Sequence, residues 1–339
     1  MIFSHRTRQR RQFRYPYRRR QPGLLWALFS LLGLGALAGL LLGVREARRR
    51  SETAREDVPP PEREAEGDRE DYAEAAPPES LSVWISGPQG NLFVRDGGAG
   101  HGVPILLLHS LAGNGGQWAL QLDHLRRHRR AVAIDLRGHG DSDPADDGDY
   151  SIPAFAADVA AAVDQLDLRH FVLAGHSLGA AVAIEYASRH PERVVGLLLI
   201  DPNGDQTRVP REQMETFLEA LREDPLGELD SYFRQLLLHG DRDASRWVLE
   251  DIRLTHEDAV AKAVEGSIEY APLPALARYE GPKLAILSDM NNLPYSLHRL
   301  VPDLPVRFMP GTGHWMMMDR PEVFNGLLDE LLAGVDGTA

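Results

Sequence analysis

The chain has 339 residues, a formal net charge of −13 and no cysteine. The missing thiols exclude disulfides, thiolate metal sites and a cysteine nucleophile. Charge is unevenly spread: twelve arginines against Glu46 give the first fifty residues +11 and leave −24 on the rest, which argues against nucleic acid or an anionic membrane surface as a partner of that larger part.

Residues 1–22 are basic, with eight arginines and no acid. Residues 23–44 are uncharged and leucine-rich, and as a helix these 22 residues span a hydrocarbon core of about 30 Å. A cleavable signal peptide shares the basic start and the apolar run. This run is longer than an h-region, however, and leads into Arg45-Glu46-Ala47-Arg48-Arg49-Arg50 with no small-residue cleavage site. The pattern predicts a transmembrane helix at 23–44, with the lipid bilayer as its partner. Eight arginines before the span and four after it predict a cytoplasmic N-terminus and an exported C-terminal domain. Residues 45–80 form an acidic, Pro-rich linker: between 51 and 80, eleven acids face three arginines, with Pro59-Pro60-Pro61 and Pro77-Pro78 interrupting the stretch. Like charge and the lack of apolar residues predict an extended, solvated tether.

From Leu81 onward strands are predicted at 81–85, 91–95, 104–109, 130–135, 169–175, 194–201, 283–288 and 306–309, alternating with helices after the first pair. That alternation predicts one α/β unit, 81–339, built on a mostly parallel sheet covered on both faces. Between 201 and 281 the alternation stops and helical periodicity takes over. Met214, Phe217, Leu218 and Leu221 share one face of 211–222, and Tyr232, Phe233, Leu236 and Leu237 recur through 229–238.

The most informative feature is Gly175-His176-Ser177-Leu178-Gly179. It joins a strand-like run, 169–174, to a helical stretch, 178–187. A serine at the apex of so sharp a turn is forced into strained backbone angles, and only residues without Cβ at 175 and 179 let strand and helix pass closely. The strain leaves the Ser177 hydroxyl projecting free of the sheet, which makes it a candidate nucleophile.

Together with the strand ending Leu106-Leu107-Leu108-His109-Ser110-Leu111, the loop Asp135-Leu136-Arg137-Gly138-His139-Gly140-Asp141-Ser142, and Gly311-Thr312-Gly313-His314 before an apolar helix, this elbow makes residues 81–334 resemble an α/β-hydrolase-fold protein of the lidded type. The resemblance implies an eight-stranded sheet and a helical cap inserted after the sixth strand, at about 202–281. It also implies a triad in the order nucleophile, acid, histidine, which assigns the base to His314.

The acid has two candidates. The position where many relatives carry it, after the seventh strand, holds Asn291, which lacks the charge to stabilise an imidazolium. Asp201 ends the sixth strand, where some relatives place theirs, and is favoured because a strand's carboxyl end faces the active-site edge of the sheet. Asp289, two residues before Asn291, is the alternative. The oxyanion hole implied by the fold uses the backbone N–H groups of Leu178 and Leu111, each worth roughly 3–4 kcal/mol when aimed at developing charge. Relatives usually have glycine where this chain has Ser110, a departure in the turn that carries Leu111.

His139 and His176 are expected to shape the walls of the site rather than transfer protons. Trp118, Trp315 and Met316-Met317-Met318 are candidates for core or pocket wall. Gly113-Asn114-Gly115-Gly116 lacks the lysine and Ser/Thr of a phosphate loop, and no His/Glu pair has metal spacing, so neither cofactor nor metal is implied. The leading expectation is a membrane-anchored serine hydrolase that cleaves a small-molecule carboxylic ester, thioester or lactone through an acyl-enzyme. Perhydrolysis or acyl transfer would use the same residues, and a non-catalytic small-molecule sensor is the alternative from a different class.

Overall fold

The computed structural model describes residues 81–337; the predicted basic segment, membrane span and linker lie outside the described residues. Among the described residues, no helix is long and apolar enough to cross a membrane.

Eight strands form one sheet: β1 (Leu81–Gly87), β2 (Gly90–Asp96), β3 (Gly102–Leu108), β4 (Arg129–Ile134), β5 (Phe171–His176), β6 (Val194–Ile200), β7 (Lys283–Leu287) and β8 (Val306–Phe308). Their order across the sheet is β1-β2-β4-β3-β5-β6-β7-β8. Only β2 runs against its neighbours; the pairs from β4 to β8 are parallel. All eight predicted strands are present, with ends that move by a few residues.

Helices connect and cover the strands. They are α1 (Ala119–Leu125) after β3, α2 (Ile152–Gln165) after β4 and α3 (Leu178–Arg189) after β5. Between β6 and β7 lie α4 (Arg211–Glu223), α5 (Pro225–Leu236), α6 (Arg242–Asp251), α7 (Glu257–Glu269) and α8 (Pro272–Arg278). The chain closes with α9 (Leu297–Leu300), α10 (Met316–Asp319) and α11 (Pro321–Asp336).

The sequence dictates this layering through strand periodicity. Successive side chains of a strand point to opposite faces, and in β3 all of Ile105 to Leu108 are buried because both faces are covered. Leu106 and Leu108 join Phe155 of α2 and Tyr186 of α3 in one core. Ile105 and Leu107 join Trp118, Phe324 of α11, and Phe217 and Phe233 of the inserted helices in the other. α3 is buried along its length from Leu178 to Ala187, and its alanines let it lie against the sheet beneath α2 and α8. The predicted inner face of α4, Met214, Phe217, Leu218 and Leu221, is the buried one. Within the stretch expected to form the cap, 202–281, α8 packs back on α3, so the pocket is roofed by α4, α5 and α7.

Register sets up the site. His176 of β5 lies opposite Ile200 of β6, and Ile200 opposite Ile286 of β7. The carboxyl ends of these central strands therefore finish abreast, and the residues just beyond them, Ser177, Asp201 and Ser288, emerge on the same edge.

Candidate active site

Ser177 takes φ 54° and ψ −112°, a region that side chains with a Cβ rarely adopt. Such a conformation costs about 1–3 kcal/mol and persists only where the surroundings over-determine it. Here the Ser177 N–H donates to the Ile200 carbonyl (2.9 Å) and its carbonyl accepts from Ala180 (3.0 Å), which pins the turn from both sides. A Cβ on Gly175 would run into the Gly179 carbonyl, and one on Gly179 into the carbonyls of Leu108 and His109. Both glycines are therefore set by close approach of backbone. Ser177 is 7% exposed.

Asp201, the residue after β6, also has positive φ, 41°. Its N–H donates to the Ile286 carbonyl (2.8 Å), and its carboxylate is buried. Three donors meet it: the Ser288 N–H at 2.9 Å and hydroxyl at 2.8 Å, and His314 Nδ1 at 2.6 Å. With Nδ1 engaged by the carboxylate, Nε2 is the ring nitrogen of His314 left to act on a substrate or nucleophile. Of the two candidate acids, Asp201 is the one brought to His314. Asp289 instead accepts from the Gly311 N–H at 3.0 Å, bracing the loop in which His314 sits. Asn291, at the position where many relatives have the acid, donates to the Pro202 carbonyl (2.9 Å) and anchors the turn after Asp201.

The backbone of His314 is held on two sides. Its N–H donates to the Leu236 carbonyl at the end of α5 (3.1 Å), and its carbonyl accepts from His176 Nε2 (2.9 Å). His176 is wholly buried with Nδ1 unpartnered; burial, with His314 nearby, holds its pKa well below the usual value. It is thus a neutral Nε2–H tautomer that fixes the histidine loop. Asp319 adds a second brace, accepting from Gly313 N–H (2.7 Å) and from Asp241 N–H ahead of α6 (2.8 Å).

His109 ties the other side of the site together. Its Nε2 accepts from the Leu136 N–H (2.9 Å) and its Nδ1 donates to the Ser110 carbonyl (2.7 Å). Burial pushes its pKa down to about 4. His139 lies 5.4 Å away between ring centroids, donates to the Arg137 carbonyl and is held down to about 3 by the same cause. In the following turn Gly113 N–H closes onto the Ser110 carbonyl (3.1 Å), and the left-handed residue is Ala112, φ 50°, rather than Ser110. The departure from glycine at 110 is therefore accommodated without left-handed backbone at that residue. Leu111 and Leu178 both line the pocket with Ser177 and His314; Leu178 opens α3, where a backbone N–H has no intrahelical acceptor.

The pocket has an empty volume of about 550 Å³, its open mouth included. Met214 and Phe217 of α4, Tyr232 and Phe233 of α5, and Val264 of α7 make its apolar roof. Trp315 lines it and donates its indole N–H to Gln117 (3.2 Å), whereas Trp118, Met316 and Met317 are core.

Three polar side chains that line this pocket, Asn203, Gln206 and Ser267, are not marked by any motif in the sequence, and Asn203 is the one that touches the nucleophile. The Ser177 hydroxyl donates to Asn203 Oδ1 at 2.7 Å. The Asp201-Pro202-Asn203-Gly204 string is legible as a turn, but that its asparagine reaches Ser177 depends on the β5–β6 register. Ser288 is missed for the same reason, because its partner Asp201 is on the neighbouring strand.

A family model described as alpha/beta hydrolase fold matches residues 103–321. The chain is 30% identical over 246 residues to the dihydrolipoyllysine-residue acetyltransferase component of the acetoin cleaving system of Pseudomonas putida, a match that covers 68% of this chain and 63% of that relative, just under two thirds of its length. Its fold is similar to an esterase from Exiguobacterium antarcticum (TM-score 0.66, 18% identity, 75% of this chain and 100% of that one). It is similar likewise to the enol-lactonase from Burkholderia xenovorans LB400 (TM-score 0.65, 20% identity, 74% and 100%). With the strand order, the elbow and the Asp201–His314 pair, the family match over most of the described residues leads to one assignment: the chain belongs to the alpha/beta hydrolase fold family.

Proposed function

We propose that this α/β hydrolase is a membrane-anchored serine hydrolase that cleaves a carboxylic ester, thioester or lactone through an acyl-enzyme. The observation that carries the reading is the 2.6 Å contact of His314 Nδ1 with the buried Asp201 carboxylate, in the pocket that also holds the strained Ser177. A serine hydroxyl is a weak nucleophile and needs a base. His314 supplies it through Nε2, and Asp201 steadies the imidazolium that forms. Because the serine proton is engaged by Asn203, turning the O–H bond toward Nε2 is the first event. Attack on the carbonyl then develops a negative oxygen, which the N–H groups of Leu111 and Leu178 stabilise. Collapse expels the alcohol, thiol or lactone hydroxyl with a proton from His314, and water repeats the sequence to release the acid.

An apolar roof from Met214, Phe217, Tyr232, Phe233 and Val264 over Ser177 and His314 supports an apolar acyl group. The similar structures being an esterase and an enol-lactonase agrees with carboxylic ester chemistry. Stopped-flow hydrolysis of p-nitrophenyl acetate is the test: a burst of p-nitrophenol equal to the enzyme concentration is expected, and Ser177→Ala abolishes it. Turnover that survives in Ser177→Ala would contradict the reading.

Anchoring rests on residues 23–44 and the arginines that flank them. The full chain is expected to stay with membranes through alkaline carbonate extraction, and a fusion after Ala339 to a reporter active only outside the cytoplasm is expected to report. Release of the full chain by carbonate would show that residues 23–44 do not anchor it.

A further inference from the structure

Asn203 stands where a substrate must sit, and nothing in the triad requires it. Its backbone is locked: the Pro202 carbonyl accepts from Asn291, the Asp205 N–H donates to the Tyr295 carbonyl (2.9 Å), and Gly204 between them has φ 77° with a Cβ's space filled by that same carbonyl. Its carboxamide is oriented as firmly. Nδ2 donates to Ser267 Oγ of α7 (3.0 Å), and Ser267 donates onward to Gln206 Oε1 (3.3 Å). That chain of donors leaves Oδ1 facing Ser177, whose hydroxyl it accepts at 2.7 Å. Asn203, Gln206 and Ser267 all line the pocket and form a polar strip in an otherwise apolar roof.

When Ser177 turns to His314 and bonds to a carbonyl carbon, Asn203 Oδ1 loses its donor while enclosed by substrate. A buried acceptor left without a partner is costly, and sites built around such a group reject analogues that lack the matching donor. The donor that can replace the serine proton must lie close to the same oxygen. A hydroxyl or N–H on the carbon next to the scissile carbonyl is only a few bonds from Oγ in the adduct, and so falls within reach of Oδ1.

We infer that Asn203 is a specificity-determining residue that selects acyl groups bearing a hydrogen-bond donor, a hydroxyl or an N–H, on the carbon adjacent to the scissile carbonyl. This deepens, and rests on, the serine-hydrolase reading. The experiment compares two near-isosteric esters, p-nitrophenyl 2-hydroxypropanoate and p-nitrophenyl 2-methylpropanoate, as a ratio of kcat/KM after correction for the non-enzymatic rate. The ratio is independent of how much enzyme is active, so partial misfolding of a variant does not disturb it. Wild type is expected to favour the hydroxy ester by about tenfold, the size of one hydrogen bond made in a part-buried pocket that substrate then covers. Asn203→Leu is expected to bring the ratio to about one, and Asn203→Asp, which keeps the acceptor oxygen, to retain the preference whatever its absolute rate. A wild-type ratio near one, or a preference that survives in Asn203→Leu, overturns the inference while leaving the hydrolase intact. Hydrolysis of both esters by Ser177→Ala at the wild-type rate overturns the hydrolase reading itself.

Discussion

His314 Nδ1 meets Asp201 Oδ2 at 2.6 Å across 113 residues of sequence, and the carboxylate comes from the end of β6 rather than from the loop after β7. The loop after β7 still contributes, but as scaffolding: Ser288 donates twice to Asp201, and Asn291 secures Pro202. The acid and its supports are thus divided between two neighbouring strands.

Replacing Asp201 by Asn is expected to lower kcat by about 10⁴-fold, because the amide presents His314 with the wrong tautomer and no counter-charge. Asp289→Asn keeps an acceptor oxygen for Gly311 and is expected to cost at most a few-fold. Steady-state kinetics on both variants decides; the reverse order of sensitivity would move the acid to Asp289.

Ser177→Gly separates function from stability. Glycine adopts φ 54° without a Cβ penalty, so relief of about 1 kcal/mol of strain is expected, set against loss of the hydrogen bond to Asn203. The variant should be inactive yet melt no lower than wild type and up to about 4 °C higher. Calorimetry checks it, and a melting point several degrees lower would show that the strain relieved is smaller than the hydrogen bond and chain entropy lost with the side chain.

Three histidines near the site, His109, His139 and His176, are buried and held neutral. Unfolded, each titrates around 6.5, so below that pH the unfolded chain binds more protons and stability falls as the pH drops toward about 4. Each histidine contributes a slope of about 1.4 kcal/mol per pH unit across that window. Buried carboxyls with raised pKa, Asp158, Asp251 and Asp319, pull the other way, so the test is a difference. Urea unfolding of His139→Gln between pH 4.5 and 6 is expected to show a slope shallower than wild type by one such contribution. Identical slopes would mean that His139 is not held neutral.

Phe217 projects from α4 into the pocket roof and is nearly buried. Phe217→Ala is expected to shift the preferred p-nitrophenyl ester to longer acyl chains, and to cost about 3–5 kcal/mol of stability through the cavity it leaves. An unchanged chain-length profile would place the acyl group elsewhere.

The strands and the nucleophile elbow are legible in the amino-acid sequence alone. Short apolar runs between turn residues mark the eight strands, and two glycines around a serine mark the elbow, because those signals are local. His314 is reachable through motif order. What the chain does not spell out is what the sheet register creates: Ser288 on Asp201, Asn203 on Ser177, and the grip of Leu236 and His176 on the backbone of His314. Each joins residues from separate strands or from the inserted helices, and no spacing along the chain encodes it. The Ser110 departure likewise gives no hint that Ala112 carries the left-handed backbone of that turn.

Activation of Ser177 by His314 is read out by reaction of the protein with a fluorophosphonate, followed by peptide mass spectrometry. One adduct is expected, on Ser177, absent in Ser177→Ala and formed at least about 10³-fold more slowly in His314→Ala. No adduct on the wild-type chain, or equal labelling of Ser177→Ala, would contradict it.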